Sequence, residues 1–414
     1  MADPGSTSRR LVILGSGFGG YSLARNLPSA AFDVTIVSPR NYFVFTPLVP
    51  SAAVGTVEFR SILEPVRRRL GHVRMVEAAA ERVEWDKRLV ECRSSVSDEL
   101  LAIPFDLLVI AVGAAVADYG VAGVAEHALS LQDVSDARAV RGRVLLQLAR
   151  ADLPGLAEEE VRRRLTFVVC GGGATGVEIA AEIHDLLDEE LRELFPRVAR
   201  HARVVLLEAS ERLLSGFDAA LAEYTRAVFR RDGIDVRMST PVARVEADRV
   251  VLADGSELPC GMVLWAGGLA PRAFVRDLGL PLDRRGRLIV DRTLRLPGQL
   301  GAFALGDCAA CGDPPFPATA QVAQQQGKHL ARALRLEASG RHAPPFTFRN
   351  LGMLAYVGGG RALADLPQVK WSGRLAWLFW RSVYLTKLVS FANKVKVLFD
   401  WAKAAVFGRD TSRF

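Results

Sequence analysis

Two glycine-rich segments of the same design could each hold the phosphates of a nucleotide. The first is Leu11-Val-Ile-Leu-Gly15-Ser-Gly17-Phe-Gly-Gly20, and the second, roughly 155 residues later, is Phe167-Val-Val-Cys-Gly171-Gly-Gly173-Ala-Thr-Gly176. In each, a branched apolar run predicts a buried strand, the glycines allow a tight turn, and the next helix presents unpaired N–H groups to an anion. One match is weak evidence, but two in one chain indicate two dinucleotides and favour electron transfer between them.

The elements that must position these turns form two βαβ units, which predict an α/β fold with two Rossmann-like dinucleotide-binding domains. Buried runs that end at Gly113 and at Gly267 add strand ends at the carboxyl edge of a sheet, where open α/β folds bind ligands. Further expected elements are helical residues 121–165 with a break at Pro154-Gly155, a charged helix from Glu178 to about Glu193, a hairpin of strands 242–246 and 249–252, and a helix from about Ala320 to Leu336.

The residue at the end of each βαβ unit indicates which nucleotide that unit binds. Glu208 ends the second strand of the second unit, where a carboxylate accepts hydrogen bonds from a ribose and repels a 2′-phosphate, which favours NADH. The alternative is a solvent-exposed Glu at a strand end, and the nearby Arg212 weakens the discrimination against NADPH. The first unit ends in Ser38-Pro-Arg40 without an acid, so FAD fits it better than NAD.

Asp307 follows an apolar strand and a glycine. A carboxylate there could accept a hydrogen bond from a ribityl hydroxyl or complete a pyrophosphate shell through water. The alternative is a helix N-cap, and both roles can hold together.

Composition limits the remaining classes. The 414 residues suggest two or three domains. No 18-residue apolar window is free of charged residues, so a membrane-spanning helix is not expected. Five scattered cysteines favour a reducing compartment. Residues 370–414 contain nine basic and two acidic residues, so this tail accounts for the whole net charge of +7.

The tail is predicted to form amphipathic helices that dock on an anionic membrane surface. In 394–407, one helical face carries Lys396, Asp400 and Lys403, and the other carries Val395, Leu398, Phe399, Ala402 and Val406. Upstream, Trp377, Trp380, Tyr384, Leu388 and Phe391 repeat at three- and four-residue spacing beside Arg381 and Lys387. Basic and aromatic side chains on such helices suit lipid headgroups. The alternative is a helical pair packed on the core or at a dimer interface, and nucleic acid is not expected.

Cys308-Ala-Ala-Cys311 has the spacing of a redox dithiol. A redox role is disfavoured because the motif lies outside a thioredoxin-like context and far from the first βαβ unit. A zinc site would need a second pair of ligands, so no metal is expected.

The chain resembles the type II NADH:quinone oxidoreductases, in the branch of the fungal and plant alternative NADH dehydrogenases. The resemblance is carried by Ser38 to Val57 with Ser61-Ile-Leu-Glu-Pro-Val66, by Ala320-Gln-Val-Ala-Gln-Gln-Gln-Gly327, and by a tail with Leu354-Ala-Tyr-Val-Gly-Gly and Val397-Leu-Phe-Asp-Trp401. These motifs follow the family order from residue 9 to about 410. Two departures are Gly267-Gly268, where members usually carry a bulkier residue before the glycine, and the lack of a calcium-binding insertion.

The resemblance implies roles residue by residue. FAD would be held by Gly15, Gly17, Gly20, Arg40, Thr46, Pro47, Gly113 and Asp307, and NADH by Gly171, Gly173, Gly176, Glu208 and Gly267. Glu178 would sit near the nicotinamide. The alternative is that Glu178 is a first-turn acid that only counters the helix dipole. Gln321 and Gln325 would lie beside flavin and quinone, with an exposed polar helix as the alternative.

The implied activity is transfer of a hydride from NADH to FAD and then of two electrons to a membrane quinone, without proton pumping. The implied domains are FAD-binding (1–125 and 285–345), NADH-binding (126–284) and membrane-docking (346–414). The resemblance implies a homodimer. The lack of a transit-peptide pattern at the N-terminus favours the cytoplasmic face of a bacterial inner membrane. The alternatives are a sulfide:quinone oxidoreductase and an FAD- and NADH-binding redox sensor like the relatives of apoptosis-inducing factor.

Overall fold

A computed structural model describes residues 8–28 and 31–412. Its strands are β1 (Arg9–Leu14), β2 (Phe32–Ser38), β3 (Tyr42–Val44), β4 (Leu63–Pro65), β5 (Arg74–Glu84), β6 (Leu89–Ser94), β7 (Leu100–Pro104), β8 (Leu107–Ile110), β9 (Ala114–Val116), β10 (Ala128–Leu129), β11 (Thr166–Cys170), β12 (Arg203–Leu207), β13 (Asp235–Arg237), β14 (Val242–Val245), β15 (Arg249–Leu252), β16 (Glu257–Pro259), β17 (Met262–Trp265), β18 (Leu269–Pro271), β19 (Leu288–Val290), β20 (Ala302–Ala304), β21 (Ala309–Cys311), β22 (Met353–Gly358), β23 (Arg361–Asp365) and β24 (Lys370–Gly373).

The α-helices are α1 (Phe18–Asn26), α2 (Val49–Ala53), α3 (Val66–Arg69), α4 (Val124–His127), α5 (Val134–Ala151), α6 (Glu158–Arg164), α7 (Ala174–Leu186), α8 (Arg192–Leu194), α9 (Ala219–Asp232), α10 (Ala273–Arg276), α11 (Ala320–Ala338), α12 (Arg374–Lys387) and α13 (Phe391–Phe407). A π-helical turn, Leu187–Leu191, continues α7. Short 3-10 turns occur at Thr46–Leu48, Phe59–Ser61, Ala199–His201 and Gly306–Cys308.

The chain divides into two compact units. Unit 1 contains the chain through Phe43, Glu64–Ala115 and Leu269–Asn350, and unit 2 contains Val44–Leu63, Val116–Gly268 and the chain from Leu351 onward. The tail therefore groups with the second βαβ unit. The cofactor domains drawn from the sequence stay a prediction.

Unit 1 is built on a seven-stranded sheet of order β20-β8-β1-β2-β5-β6-β7. The first five strands are parallel, and β5, β6 and β7 form an antiparallel extension. The chain leaves the carboxyl end of β1 between β8 and β2, at the point where strand order reverses and ligands bind in such sheets.

Unit 2 repeats this arrangement in a five-stranded parallel sheet of order β10-β17-β11-β12-β13. Strand β11 is fully buried and is flanked by β17 and β12, as β1 is flanked by β8 and β2. Two antiparallel three-stranded sheets, β14-β15-β16 and β22-β23-β24, complete the unit. The predicted α/β class, the two Rossmann-like sheets and the β14–β15 hairpin are confirmed.

The helices correct the sequence prediction in two places. The expected helical stretch 121–165 contains α4, α5 and α6, and only the break near Pro154-Gly155 was foreseen. The expected charged helix 178–193 begins earlier, at Ala174, because Gly173 adopts an extended conformation and caps the helix there. Glu178 therefore lies in the second helical turn and does not counter the dipole from the first.

Candidate dinucleotide sites and a buried acid cluster

Two glycines of the first turn pack against backbone atoms, and the third faces open space. A Cβ on Gly15, whose φ is +108°, would lie 2.3 Å from the carbonyl oxygen of Ala111, and one on Gly20 would lie 2.1 Å from that of Gly15. A Cβ on Gly17 would meet no protein atom within 4 Å. Gly15 and Gly20 are thus required by packing, whereas Gly17 leaves open space at the N-terminus of α1, where a pyrophosphate fits.

The second turn has the same construction in unit 2. A Cβ on Gly171 (φ +111°) would lie 2.4 Å from the carbonyl oxygen of Ala266, and one on Gly176 would lie 1.8 Å from that of Gly171. A Cβ on Gly173 would again meet nothing within 4 Å. Each unit therefore has one open cradle at a helix N-terminus, and the residues present fit two dinucleotides.

Asp307 lies in the short 3-10 turn that follows β20 in unit 1. Among the described residues, no hydrogen bond ends on its carboxylate, and burial raises its pKa while Arg287 opposes the rise. It does not cap α11, because Thr319 does so through its side chain. The N-cap alternative is therefore wrong, and the carboxylate has acceptor capacity left for a ligand.

Two unit 1 residues beside these positions were not anticipated. Gln326 is 1% exposed, and its Oε1 accepts the backbone N–H of Gly306 at 2.7 Å, which fixes the turn that presents Asp307. The Arg272 Nε donates to the carbonyl of Val112 at 3.0 Å, next to Gly113. Burial and the nearby charge of Arg40 lower the pKa of Arg272. The guanidinium groups of Arg272 and Arg40 are close enough to interact, and such a pair suits a phosphate. Neither the Gln326 contact nor the Arg272 contact has a local sequence signal.

The other residues predicted for FAD have simple placements. Arg40 follows the end of β2, where Ser38 Oγ accepts its backbone N–H at 3.3 Å. Gly113 has a φ of +66° and open space where a side chain would be. Thr46 and Pro47 lie in a 3-10 turn of unit 2, with Thr46 exposed and Pro47 half-buried. Contact of Thr46 and Pro47 with the flavin ring stays a prediction.

Glu208 follows β12 directly and turns back onto the second glycine turn. Its carboxylate accepts the backbone N–H of Gly172 at 2.5 Å and that of Ser210 at 2.7 Å. Arg212 points elsewhere, because its Nη2 donates to the carbonyls of Ser215 and Phe217. An acid at this place, which Arg212 does not pair with, suits a ribose hydroxyl and disfavours a 2′-phosphate.

Gly267 and Gly268 follow β17 at the mouth of the second cradle. A Cβ on Gly268, whose φ is +138°, would lie 2.4 Å from the hydroxyl oxygen of Tyr119. A Cβ on Gly267 would lie 3.0 Å from the Trp265 indole nitrogen, which donates to the carbonyl of Ala117. At Gly267, the position that departs from the family pattern, the Trp265 ring therefore lies where a bulkier side chain would begin.

Glu178 belongs to a buried acid cluster on one side of α7. It accepts the backbone N–H of Tyr356, from β22, at 3.1 Å, and burial raises its pKa to about 8 against that hydrogen bond. One turn later, Glu182 accepts hydrogen bonds from Ser51 Oγ at 2.6 Å and Thr56 Oγ1 at 3.3 Å, and burial raises its pKa to about 7. Near neutral pH both side chains can carry a proton, which an exposed Glu does not do.

The third acid of the cluster, Asp185, is held as an acceptor. It takes the hydroxyl of Tyr356 at 2.6 Å and the backbone N–H of Gly359 at 3.1 Å. The sequence analysis missed Glu182 and Asp185, although their four- and seven-residue spacing from Glu178 on one helical face was a signal.

The two predicted glutamines of α11, Gln325 and Gln321, have different surroundings. The side-chain amide of Gln325 pairs with the backbone of Arg349, donating to its carbonyl at 2.9 Å and accepting its N–H at 3.0 Å. Gln325 therefore anchors the following segment to α11. Gln321 is half-buried on the same face, and contact of either side chain with a quinone stays a prediction.

The two cysteines of the Cys308–Cys311 motif are buried free thiols. Cys308 Sγ lies 3.3 Å from the carbonyl of Leu305, and Cys311 Sγ lies 3.5 Å from that of Asp291. Burial raises the pKa of Cys308 to about 12 and that of Cys311 to about 11, so neither is a thiolate near neutral pH.

The apolar side of α13 is its exposed side. The exposed residues include Phe391, Val395, Leu398, Phe399, Val406 and Phe407. The opposite side packs on the unit through Val397, Trp401 and Asp400, whose carboxylate accepts the backbone N–H of Glu58 at 3.1 Å. Within residues 8–28 and 31–412, no helix is long and apolar enough to cross a membrane.

One expectation about the tail is wrong in detail. Trp380 and Leu388, predicted at headgroup level, are buried because α12 packs its aromatic stripe inward. Part of the basic excess is also used internally. Lys370 pairs with Asp365, Arg381 stacks on Trp377 and Trp401, Lys403 pairs with Glu58 at 2.7 Å and Arg409 pairs with Glu189 at 2.9 Å.

Comparison with known proteins gives the family of this arrangement. Residues 9–327 match the pyridine nucleotide-disulphide oxidoreductase family, and residues 350–410 match the NDH2 C-terminal domain. The chain is a member of the NDH2-type pyridine nucleotide-disulphide oxidoreductases. Its family relatives include a probable NADH dehydrogenase of Dictyostelium discoideum, 40% identical over 98% of this chain and 92% of the relative. An internal alternative NAD(P)H-ubiquinone oxidoreductase of Solanum tuberosum is 37% identical over 98% of this chain and 88% of its own length.

Solved structures agree with this membership. NDH2 from Plasmodium falciparum in complex with NADH superposes with a TM-score of 0.94 at 25% identity, covering 98% of this chain and 100% of that chain. A sulfide:quinone oxidoreductase from Aquifex aeolicus superposes with a TM-score of 0.72 at 20% identity over 97% of this chain and 96% of that chain, which shows the shared fold alone. The NDH2 resemblance inferred from the sequence is confirmed.

Proposed function

We propose that this chain is an NADH:quinone oxidoreductase with FAD as cofactor. The observation that carries the proposal is the pair of glycine turns, which share one construction and each leave one open cradle at a helix N-terminus. The family, whose members include NAD(P)H-ubiquinone oxidoreductases, supports the same reaction. Unit 1 holds FAD through Gly15, Gly17 and Gly20, and unit 2 holds NADH through Gly171, Gly173 and Gly176.

FAD, when bound, accepts a hydride from NADH and supplies two electrons to the quinone. The chain itself binds and orients the reactants. Gly17 and Gly173 leave space for the two pyrophosphates, Asp307 accepts from the FAD sugar–phosphate region, and Glu208 accepts from the NADH ribose. Gln321 lies on the α11 face assigned to flavin and quinone, with Gln325 anchoring that face.

Quinone reduction needs protons as well as electrons, and Glu178 is suited to hold one. The overall reaction, NADH + H⁺ + quinone → NAD⁺ + quinol, takes one proton from solvent. Contact of Glu178 with the nicotinamide stays a prediction. Its carboxyl is buried, with its pKa raised to about 8, so it is protonated at neutral pH, and we propose that it donates a proton to the quinone oxygen.

We also propose that α12 and α13 dock on an anionic membrane surface and bring the chain to its quinone. The exposed apolar side of α13 supports this, together with the exposed basic residue Lys396. A homodimer and the cytoplasmic face of a bacterial inner membrane stay predictions. Light scattering in detergent would test the first.

Anaerobic stopped-flow absorbance at the flavin band tests the reaction. The purified holoprotein is mixed with NADH and then with a short-chain quinone. We expect fast bleaching by NADH and fast recovery with quinone. Bleaching without recovery would favour the redox-sensor alternative, and no bleaching by NADH would contradict the proposal.

The sulfide:quinone alternative has weaker support. It needs a reactive cysteine pair beside the flavin, whereas Cys92, Cys170, Cys260, Cys308 and Cys311 are all buried free thiols. Bleaching of the flavin by sulfide in place of NADH would revive it.

A further inference from the structure

A turn of unit 2, residues 118–121, holds an aromatic side chain in a backbone conformation that suits glycine. Tyr119 has a φ of +53° and Gly120 a φ of +74°, and the carbonyl of Asp118 accepts the backbone N–H of Val121 at 3.0 Å. Positive φ at both central residues is typical of a type I′ turn, in which Gly, Asn and Asp are favoured. A tyrosine there is strained, and residues strained in this way cluster at functional sites.

Burial does not account for the strain at Tyr119. The residue is 69% exposed, so its ring contributes little to the core. The turn is nevertheless fixed in place by the residue before it, Ala117. The Ala117 N–H donates to the carbonyl of Gly268 at 3.0 Å, and its carbonyl accepts the indole N–H of Trp265 at 2.7 Å. These bonds hold the Tyr119 turn against the glycines that follow β17.

The ring of Tyr119 lies on the same segment that closes the second glycine turn. A Cβ on Gly268 would lie 2.4 Å from the Tyr119 hydroxyl oxygen and 3.4 Å from its Cζ. One residue earlier, the backbone nitrogen of Gly267 would lie 2.9 Å from a Cβ on Gly171. The ring therefore stands at the edge of the second cradle, over backbone that has no side chains of its own.

The strand order decides which half of NADH would reach Tyr119. In the sheet β10-β17-β11-β12-β13, the cradle follows β11 and Glu208 follows β12. A dinucleotide with its adenosine ribose at Glu208 and its pyrophosphate on the cradle extends in the opposite direction, across the carboxyl end of β17. Gly267 and Gly268 lie at that end, and Tyr119 is the large side chain that lies on Gly268.

We propose that Tyr119 binds the nicotinamide riboside half of NADH. Its ring packs against the riboside and orients the nicotinamide, while Glu208 and the cradle at Gly173 hold the other half. An aromatic ring supplies a large contact area and loses little side-chain entropy on binding. The strained turn fixes the ring before NADH arrives, which lowers the entropic cost of binding further. The inference rests on the proposed NADH:quinone activity.

Tyr119→Gly is the first test, because glycine adopts the positive φ without strain. We expect the variant to unfold at the same temperature as the wild type or higher. Its oxidised, FAD-loaded form should bind NAD⁺ about tenfold more weakly. NAD⁺ is the probe because it does not reduce the flavin. ADP, which carries the adenosine and two phosphates without the riboside, should bind as it does to the wild type. Isothermal titration calorimetry measures both affinities.

Asp98→Gly is the matched control. Asp98 is exposed on a loop of unit 1 with a φ of +59°, so this variant loses the same kind of backbone strain and should bind NAD⁺ as wild type. If Tyr119→Gly does not fold, Tyr119→Asn should show the same loss of NAD⁺ affinity, because asparagine tolerates positive φ. Tyr119→Phe keeps the ring and should bind NAD⁺ within about twofold of wild type.

Three results would overturn the inference. They are wild-type NAD⁺ affinity in Tyr119→Gly or Tyr119→Asn, an equal loss of NAD⁺ and ADP affinity in these variants, and a loss of about tenfold in Tyr119→Phe. If the wild-type protein neither bound NAD⁺ nor bleached with NADH, the proposed function itself would be overturned, so the two failures are distinguishable.

Discussion

The carboxylate of Glu208 accepts the backbone N–H of Gly172 over 2.5 Å, which ties the end of β12 to the second glycine turn. The acid proposed to bind the ribose and the loop proposed to hold the pyrophosphate are therefore held together by this hydrogen bond. Arg212, the arginine nearest in sequence, donates to its own loop carbonyls and does not pair with this acid.

Glu208→Gln should relax the choice between NADH and NADPH. The variant keeps an acceptor for Gly172 but removes the charge that repels a 2′-phosphate. We expect KM for NADH to rise about fivefold and the preference for NADH over NADPH to fall about tenfold, equivalent to about 1.4 kcal/mol. Steady-state kinetics with both nucleotides measures this, with the exposed Glu211→Gln as control. An unchanged preference would argue against the assignment.

Substitutions at Gly17 and at Gly20 of the first turn should separate cofactor binding from folding. Gly17→Ala adds a Cβ into space that no protein atom occupies, so the chain should fold but hold FAD about tenfold or more weakly. Gly20→Ala places a Cβ 2.1 Å from a backbone oxygen and should lower the free energy of unfolding by about 1–3 kcal/mol or more. Flavin content and thermal unfolding of the apoproteins distinguish them. Normal FAD content in Gly17→Ala would contradict the cradle.

Local sequence patterns predicted the glycine turns because their chemistry is contained within about ten residues. The strand, the positive φ of Gly15 and the helix N-terminus all follow from one short segment. The start of α7 also depends on a short segment. Because Gly173 is extended and precedes the first helical residue, α7 begins at Ala174, and Glu178 lies in the second turn and not in the first.

Contacts between distant segments escaped sequence analysis. Glu178 accepts its hydrogen bond from Tyr356, which lies 178 residues later in the chain. Glu182 accepts from Ser51 and Thr56, which lie more than 120 residues earlier. The tail shows the same limit. Its amphipathic helices were predicted, but the inward packing of Trp380 depends on Tyr356 and Trp401, which periodicity does not reveal.

Glu178→Gln should slow the step that consumes quinone and spare the step that consumes NADH. In the wild-type protein, kcat should fall as pH rises through about 8, because the protonated carboxyl is the donor. The variant should lose this dependence together with about a hundredfold of kcat. Turnover between pH 6 and 9, with Glu193→Gln as control, measures both. A wild-type rate in Glu178→Gln would remove Glu178 from the mechanism.

Stability should fall as pH rises across the same window. Burial raises the pKa of Glu178 to about 8 and that of Glu182 to about 7, above their unfolded value, so the folded state binds more protons between about pH 4.5 and those values. Each acid then costs about 1.4 kcal/mol of unfolding free energy per pH unit until its folded pKa is passed. Chemical unfolding from pH 5 to 9 tests this. The variant with both Glu178→Gln and Glu182→Gln should show a shallower fall of unfolding free energy with pH. Equal slopes would mean that the two acids are ionised in the folded protein.

The exposed apolar side of α13 should determine membrane binding without affecting the fold. Phe399 is 67% exposed, so Phe399→Asp should leave thermal stability unchanged. If the ring inserts between lipids, its loss should weaken binding to anionic vesicles about tenfold or more, since burying such a side chain contributes about 1.5–3 kcal/mol. Leu100→Asp, which removes a 66% exposed apolar residue from β7, is the matched control and should bind as wild type. Vesicle co-sedimentation at several salt concentrations separates this contribution from that of the exposed Lys396. Equal binding of both variants would contradict the insertion of α13 into lipid.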